Sequence, residues 1–472
     1  MFGEYPVTKI INQLGRTNLL PAILFRTSRR QCDVDVERLY TSRGGKISEN
    51  EQNRMKLEVD SIIEKYKFPV EVVYEHPHYH TLIATAAGAH HAGQLLIWRL
   101  ILEELMTRGQ LRLLIATGTV AAGVDFPART VVITAHSRRG AEGFEVLSSS
   151  ELQQMAGRAG RRGKDTVGIC LVAPSLFADA RIINEVAKRP PEPLRSAYFA
   201  SPSTVLNLLK FRNVDDLRYT VSRSLASFLD RKASHGIMEE AQHHENELLA
   251  SRLPEQSRKK AEKKVRRLQR EAEALAERQG VQLETTLERL RTLGFVEGSG
   301  LSEKGYWAAD LCTTLVLELA EAIQDGVFHD LGVAELAGLV ASVAGDPHRP
   351  YFSIAQNPIK KEYFSRLQES VDRVRAAYGG ATPYDVAVLP DAALTVLTWI
   401  DAGSWNEFAG MLRLSGVAEG DVARLVSQTA DHLNQIARLF KSHPVLAETA
   451  IEARKKILKP PLSESLIVQV AD

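Results

Sequence analysis

The stretch Leu111–Thr134, LRLLIATGTVAAGVDFPARTVVIT, decides how the first part of the chain is read. It opens on the apolar run Leu111–Ala116, passes through a Gly-rich turn, and closes on the β-branched run Thr130–Thr134. Apolar residues at consecutive positions belong to strands buried on both faces, which is the habit of parallel sheets. Two further runs fit the same description: Ala22-Ile23-Leu24-Phe25 after Pro21, and Val167–Val172. Helical patterns such as Gln94–Thr107 separate them. The first domain is therefore expected to be α/β, with a parallel sheet covered on both faces.

Working outward, 472 residues correspond to about three domains of ordinary size. Hydrophobic residues at 44% and charged residues at 25% exclude a disordered tail, a collagen-like fibre and a disulfide-stapled miniprotein. The net charge of +1 decides nothing about a nucleic-acid partner, so only local patches can. Cys32, Cys170 and Cys312 lie far apart without a CxxC pair and are expected to be reduced, buried small residues. The N-terminus lacks a signal-peptide pattern, and no apolar run approaches the ~18 residues of a membrane span. The expectation is a soluble, cytoplasmic chain without a membrane partner.

After Arg189-Pro190-Pro191-Glu192-Pro193, a stiff connector, strand-like runs almost vanish. Short helical patterns are expected at Ser203–Lys210 and Asp215–Leu229, followed by a charged stretch from about Met238 to Gln279 that Pro254 splits in two. Its second half carries Arg258, Lys259, Lys260, Lys263, Lys264, Arg266, Arg267 and Arg270. A helix polar nearly all round cannot sit in a core, so a projecting helical hairpin is expected. It is either a plain solvated face or a surface for nucleic acid or protein. The amphipathic Leu283–Leu293, the Gly turn at 298–300 and the cap Leu301–Gly305 together read as the end of a winged helix. Beyond Tyr306 the pattern is helical throughout. The expected divisions are an α/β domain at 1–189, a winged-helix region with the hairpin at 190–305, and an all-α domain at 306–472.

The strongest chemical signal is Gln154-Met-Ala-Gly-Arg158-Ala-Gly-Arg161-Arg-Gly163. Arginines three apart among glycines can bring two guanidinium groups to one phosphate while the backbone approaches closely. It follows Ala116–Arg129, which sits at a strand end, where ligands gather in open α/β sheets.

These two stretches resemble motifs V and VI of superfamily-two DEAD/DEAH-box helicases, most closely the superkiller-like branch that includes the HelY type. Pro21–Arg30 (PAILFRTSRR) resembles motif IV of that branch, and His90-His91-Ala92-Gly93 its HHAG element. Leu194–Leu209 and Val221–Phe228 resemble the segment entering the winged helix, and Leu315–Ala341 the start of the helical domain. The resemblance implies that the α/β domain is the second RecA-like domain. It implies that Arg158 and Arg161 are arginine fingers facing the ATP γ-phosphate. Gln154, Gly157, Gly123 and Asp125 would serve the nucleotide, and Thr117 and Thr119 the nucleic-acid phosphates. No GxxxxGK[ST] loop and no DExH or DEAD box occurs. The chain thus resembles the C-terminal half of such a helicase, expected to need a first RecA-like domain in cis or in trans and to be inactive alone. ATP and Mg would belong to the complete motor, the Mg ligands lying outside this chain. A catalytically inactive binding or regulatory module, or one half of a split helicase, is the alternative.

Within Asp421–Phe440 the polar residues Arg424, Gln428, Asp431, Gln435 and Arg438 share one helical face, opposite Val422, Leu425, Val426, Leu433, Ile436 and Leu439. The position resembles the ratchet helix lining the strand channel of related helicases, which would put Arg424 and Gln428 on single-stranded or tailed RNA or DNA; an ordinary surface helix gives the same pattern. The adjacent histidines have no carboxylate or Cys partner at ligand spacing and are expected to be structural. Trp98, Trp307, Trp399 and Trp405 sit in apolar surroundings and are expected in the core.

Overall fold

The computed structural model describes residues 5–121, 128–140, 143–194, 196, 198–250, 254–352, 358–380 and 385–463. Five strands form one sheet: β1 (Ala22–Arg26), β2 (Ala87–His90), β3 (Leu113–Thr117), β4 (Thr130–Ile133) and, after the hairpin strands β5 (Ser137–Gly140) and β6 (Gly143–Val146), β7 (Ile169–Val172). Their order is β2-β3-β1-β4-β7, with every pair parallel. Side chains alternate between the faces, as a pleated strand demands. Ala22, Leu24, Leu113, Ile115 and Val132 pack with Val7, Ile11, Val36 and Leu39 on one side. Ile23, Phe25, Leu114, Val131 and Ile133 pack with Trp98, Ile101 and Leu105 on the other. Both faces of the central strands are apolar because both are covered.

The edge strand departs from the expectation. Cys170, Leu171 and Val172 in β7 are exposed, so apolar composition here marks an edge and not a buried strand. Of the cysteines only Cys32 is buried; Cys170 and Cys312 are exposed, and all three are free thiols.

Helices Pro202–Leu209 and Val214–Ser222 lead into an antiparallel hairpin of Leu225–Ala250 and Glu255–Thr292. The pattern expected at Asp215–Leu229 is broken between these two elements. The hairpin is also longer than the charged stretch that announced it. Its second helix has 38 residues and spans about 57 Å at ~1.5 Å per residue, absorbing the separately expected Leu283–Leu293 segment. Asp230, buried between the two helices, receives Arg278 Nε at 3.0 Å and Gln279 Nε2 at 2.9 Å, while Ser234 Oγ donates to the Ala272 carbonyl at 2.7 Å. These polar contacts fix the register that a thin apolar seam of Val265, Leu268 and Ala272 leaves loosely specified.

The hairpin's end meets the two-stranded sheet of β8 (Val296–Glu297) and β9 (Gly300–Leu301). The remaining chain is a helical assembly around Val333–Ala344, whose residues from Leu336 to Ala344 are all buried. Pro390–Asp401, Glu419–Ile436 and Pro444–Ile457 surround it. Trp98, Trp399 and Trp405 are buried, and Trp307 is half-buried against the core. Among the described residues no helix is long and apolar enough to cross a membrane.

Candidate nucleotide and nucleic-acid site

At the carboxyl ends of β1 and β4 lies a cleft of about 500 Å³ whose lining includes Arg26, Thr27, Gly118, Ala121, Thr134 and Gln154. This is where the sheet's connections diverge, leaving a crevice above the strands. One wall is the helix Ser149–Ala156. Ser148 and Glu151 form a capping box at its start, and the carboxylate of Glu192 accepts from the Ser149 and Ser150 amides at 2.9 Å each. The Ser150 contacts, followed by the other amides around it, hold the Glu192 carboxyl down at about 2. The connector after the α/β domain thus caps the helix that presents Gln154.

The helix ends at Gly157, and the chain then runs beside the segment entering β4. The Ala128 amide donates to the Arg158 carbonyl at 2.9 Å, and the Gly160 amide donates to the Ala128 carbonyl at 2.7 Å. A Cβ on Gly168 would stand 2.3 Å from the Ala159 carbonyl oxygen, so only glycine permits this approach. The turn Arg158–Gly160 is thus stitched to Ala128 by backbone bonds, which fixes the backbone from which Arg158 and Arg161 emerge.

Arg158 reaches the cleft's rim, its Nε and Nη2 donating to the Ala121 carbonyl at 3.1 and 2.7 Å. Arg161 is paired with Asp165: Nε to Oδ2 at 2.8 Å, Nη2 to Oδ1 at 3.0 Å, and its amide to Oδ2 at 3.0 Å. That guanidinium pushes the Asp165 carboxyl down to about 2, and the carboxylate in turn raises Arg161. The sequence reading missed Asp165, although its i,i+4 spacing from Arg161 signals the pair. Gln154 is exposed on the cleft wall. Thr117 closes β3 opposite Arg26. Thr119 belongs to the 3-10 turn Gly118–Ala121, but its side chain, like Gly123 and Asp125, lies outside the described residues. No three His, Cys, Asp or Glu among the described residues are placed to hold a metal ion.

Arg424 and Gln428 are not brought to this cleft. Arg424 lines a separate one of about 300 Å³, between Glu419–Ile436 and the segment Ala92–Leu100. Arg424, Asp431 and Arg438 are exposed and Gln428 and Gln435 half-buried, while the opposite apolar face is buried. The helix therefore shows its polar face to open space beside the α/β domain.

The His pair serves the seam between the two. His90 bonds Glu103 at 2.6 Å, and His91 Nε2 bonds Asp33 Oδ1 at 2.9 Å. Asp33 also accepts from Gln94 Nε2 at 2.9 Å. Burial holds His90 below, and His76 well below, the usual imidazole range. On this scaffold the Gly93 carbonyl accepts the Gly420 amide at 3.0 Å, and Arg29 Nη1 bonds both oxygens of Asp421 at 2.8 Å. Nothing in the sequence pairs Arg29 with Asp421, which are 392 positions apart.

Two family models match this architecture. The helicase conserved C-terminal domain matches residues 98–163, and the DSHCT (NUC185) domain matches 298–464. The mouse exosome RNA helicase MTR4 is 31% identical over 252 residues, covering 52% of this chain and 23% of the mouse protein. Mouse superkiller complex protein 2 is 32% identical over 218 residues, 46% of this chain and 17% of that protein. The chain is similar to the C-terminal half of superkiller-type superfamily-two helicases. A chloroplastic DExH-box ATP-dependent RNA helicase from Arabidopsis thaliana, DExH15, is 33% identical over 222 residues, 44% of this chain and 18% of its own length. In each case the aligned region covers less than a quarter of the relative.

Proposed function

We propose that this chain is the C-terminal portion of an ATP-dependent RNA helicase. In this reading residues 1–189 are the second RecA-like domain, 190–305 a winged-helix region and 306–472 a ratchet-type domain, acting in the cytoplasm. The observation that supports it is the stitching of Arg158–Gly160 to Ala128, with Arg158 bonded to the carbonyl of Ala121, a residue lining the cleft at the sheet's carboxyl edge. ATP would lie between this face and a first RecA-like domain supplying the phosphate loop and the magnesium ligands. Arg158 and Arg161 would then exchange the Ala121 carbonyl and Asp165 for the γ-phosphate, stabilising charge as it develops during transfer. Closing and reopening of the two RecA-like domains would move a single strand across the Thr117 side of the sheet and past Arg424 and Gln428. RNA is the preferred substrate because the matched relatives are named as RNA helicases.

Adding the first RecA-like domain of a superkiller-type helicase, in cis or in trans, tests this reading. ATPase stimulated by single-stranded RNA is expected from the joined protein and from neither part alone. Joined protein that is folded, binds RNA and remains inert would favour a second reading. That alternative, a catalytically silent RNA-binding module, has one observation behind it: both finger arginines are already engaged within the chain.

A further inference from the structure

The hairpin's second helix carries a feature that the motor reading leaves unused. At 100° per residue, Lys259, Lys260, Lys263, Arg266, Arg267 and Arg270 fall within an arc of about 120°. All six are exposed, and the arc lies opposite Val265, Leu268 and Ala272, which pack on the first helix. Glu255 and Glu262 pair with Lys259 and Arg258, and Glu240 and His244 take Lys264. Among the described residues no carboxylate lies within 4.0 Å of Lys260, Lys263, Arg266, Arg267 or Arg270. Like charges at i,i+3 and i,i+4 repel by a few tenths of a kcal/mol per pair, so the folded hairpin holds a cationic strip that its own surface does not neutralise. The strip runs about 17 Å along a stiff helix.

We propose that this face docks the phosphate backbone of double-helical RNA. Charge complementarity selects a polyanion, and the shape of the surface selects a duplex. Proteins that bind single strands stack bases on aromatic rings, and Glu255–Thr292 contains no Phe, Tyr or Trp. What remains is contact with phosphates, which is independent of sequence and is how A-form helices are held. Rigidity matters as well: Asp230 with Arg278 and Gln279, and Ser234 with the Ala272 carbonyl, keep the strip straight and in register. The choice of RNA over DNA rests on the helicase reading, whereas binding itself needs neither ATP nor a first RecA-like domain.

The test uses the full chain without nucleotide and a blunt RNA duplex of about two helical turns, followed by fluorescence anisotropy from about 50 to 300 mM salt. The triple variant Lys260→Gln, Lys263→Gln, Arg267→Gln keeps good helix formers on an exposed face, and circular dichroism checks its fold. The expected result is at least tenfold weaker binding at the lowest salt, with the log–log salt slope reduced by about 3. Lys260→Arg with Lys263→Arg should bind like the parent. Unchanged affinity and slope in the triple variant would overturn the proposal. So would a variant that keeps duplex binding but loses an acidic polypeptide, which would make the strip a protein-docking face. Because no turnover is measured, an inert reconstituted motor would count against the helicase reading and leave this result standing.

Discussion

At Gly420 the backbone of the helical domain packs directly on that of the α/β domain, its amide bonding the Gly93 carbonyl, and Gly420→Ala tests whether the two move as one body. A Cβ there would stand 2.3 Å from the Ala92 carbonyl oxygen and 2.7 Å from that of Gln94. Carbon and oxygen settle no closer than about 3.3 Å, so the seam must open by roughly 1 Å. Neither obstacle is the tip of a flexible side chain. Both are carbonyls of a turn held by His91, Asp33 and Gln94. The helix must therefore give way, lengthening the Gly420 amide bond to Gly93 and loosening the Arg29–Asp421 fork. Overpacking costs about 1–3 kcal/mol and a lost hydrogen bond about 1 more. The expected penalty of ~2–4 kcal/mol would be concentrated at the seam. Amide hydrogen exchange at residues 91–94 and 419–424 should accelerate roughly 30- to 1,000-fold, while the sheet interior at 113–116 stays protected. Unchanged exchange at the seam would refute the claim that this contact fastens the domains.

In a double-mutant cycle, Arg29→Ala and Asp421→Ala should show coupling of about 1–2 kcal/mol, because Arg29 is partly exposed; additive losses would mean the fork contributes nothing. Burial pushes the Glu318 carboxyl up to about 7 from 4.5, so the folded chain binds the extra proton between those values. Stability should fall as pH rises from about 4.5 to 7 and flatten above, and urea unfolding of Glu318→Gln should lack that slope and exceed the parent at pH 8. Asp165 and Glu192 are held at about 2, so the stability they contribute is present above pH 4.5 and lost as pH falls towards 2. Carboxyl ¹³C shifts over that range should report both midpoints, and Arg161→Ala should return that of Asp165 towards 3.8. Asp230→Ala leaves Gln279 buried without its acceptor, which costs about 1–3 kcal/mol and should hasten limited proteolysis within the hairpin.

The central sheet was legible because residues such as Ile23, Leu24, Leu114 and Ile115 are apolar at consecutive positions in short runs bounded by Gly or Pro, the habit of a strand covered on both sides. Composition carries no label for an edge, so β7 looked like its neighbours. Pro254 marked the hairpin's turn, but its far limits were hidden. Gly280 stands in open space within the second helix and does not break it, and the charge run ends well before the helix does. In the candidate site, the arginine spacing and the Gly-rich turn were readable because they are local. The Ala128 stitching, the Ala121 carbonyl that holds Arg158, and the Arg29–Asp421 fork join distant segments through backbone groups or lone side chains, and these leave no periodic trace.

The central claim is that Arg158 and Arg161 act on ATP while Arg424 and Gln428 act on the strand. The direct measurement is RNA-stimulated ATPase of the chain joined to a first RecA-like domain, with kcat and KM resolved for ATP and half-saturation resolved for RNA. Arg161→Ala and Arg158→Ala are predicted to lower kcat about 10²- to 10³-fold with RNA half-saturation near that of the parent. Arg424→Ala with Gln428→Ala is predicted to raise the RNA requirement and leave kcat at saturating RNA almost untouched. A finger variant that hydrolyses ATP at the parental rate would contradict the account.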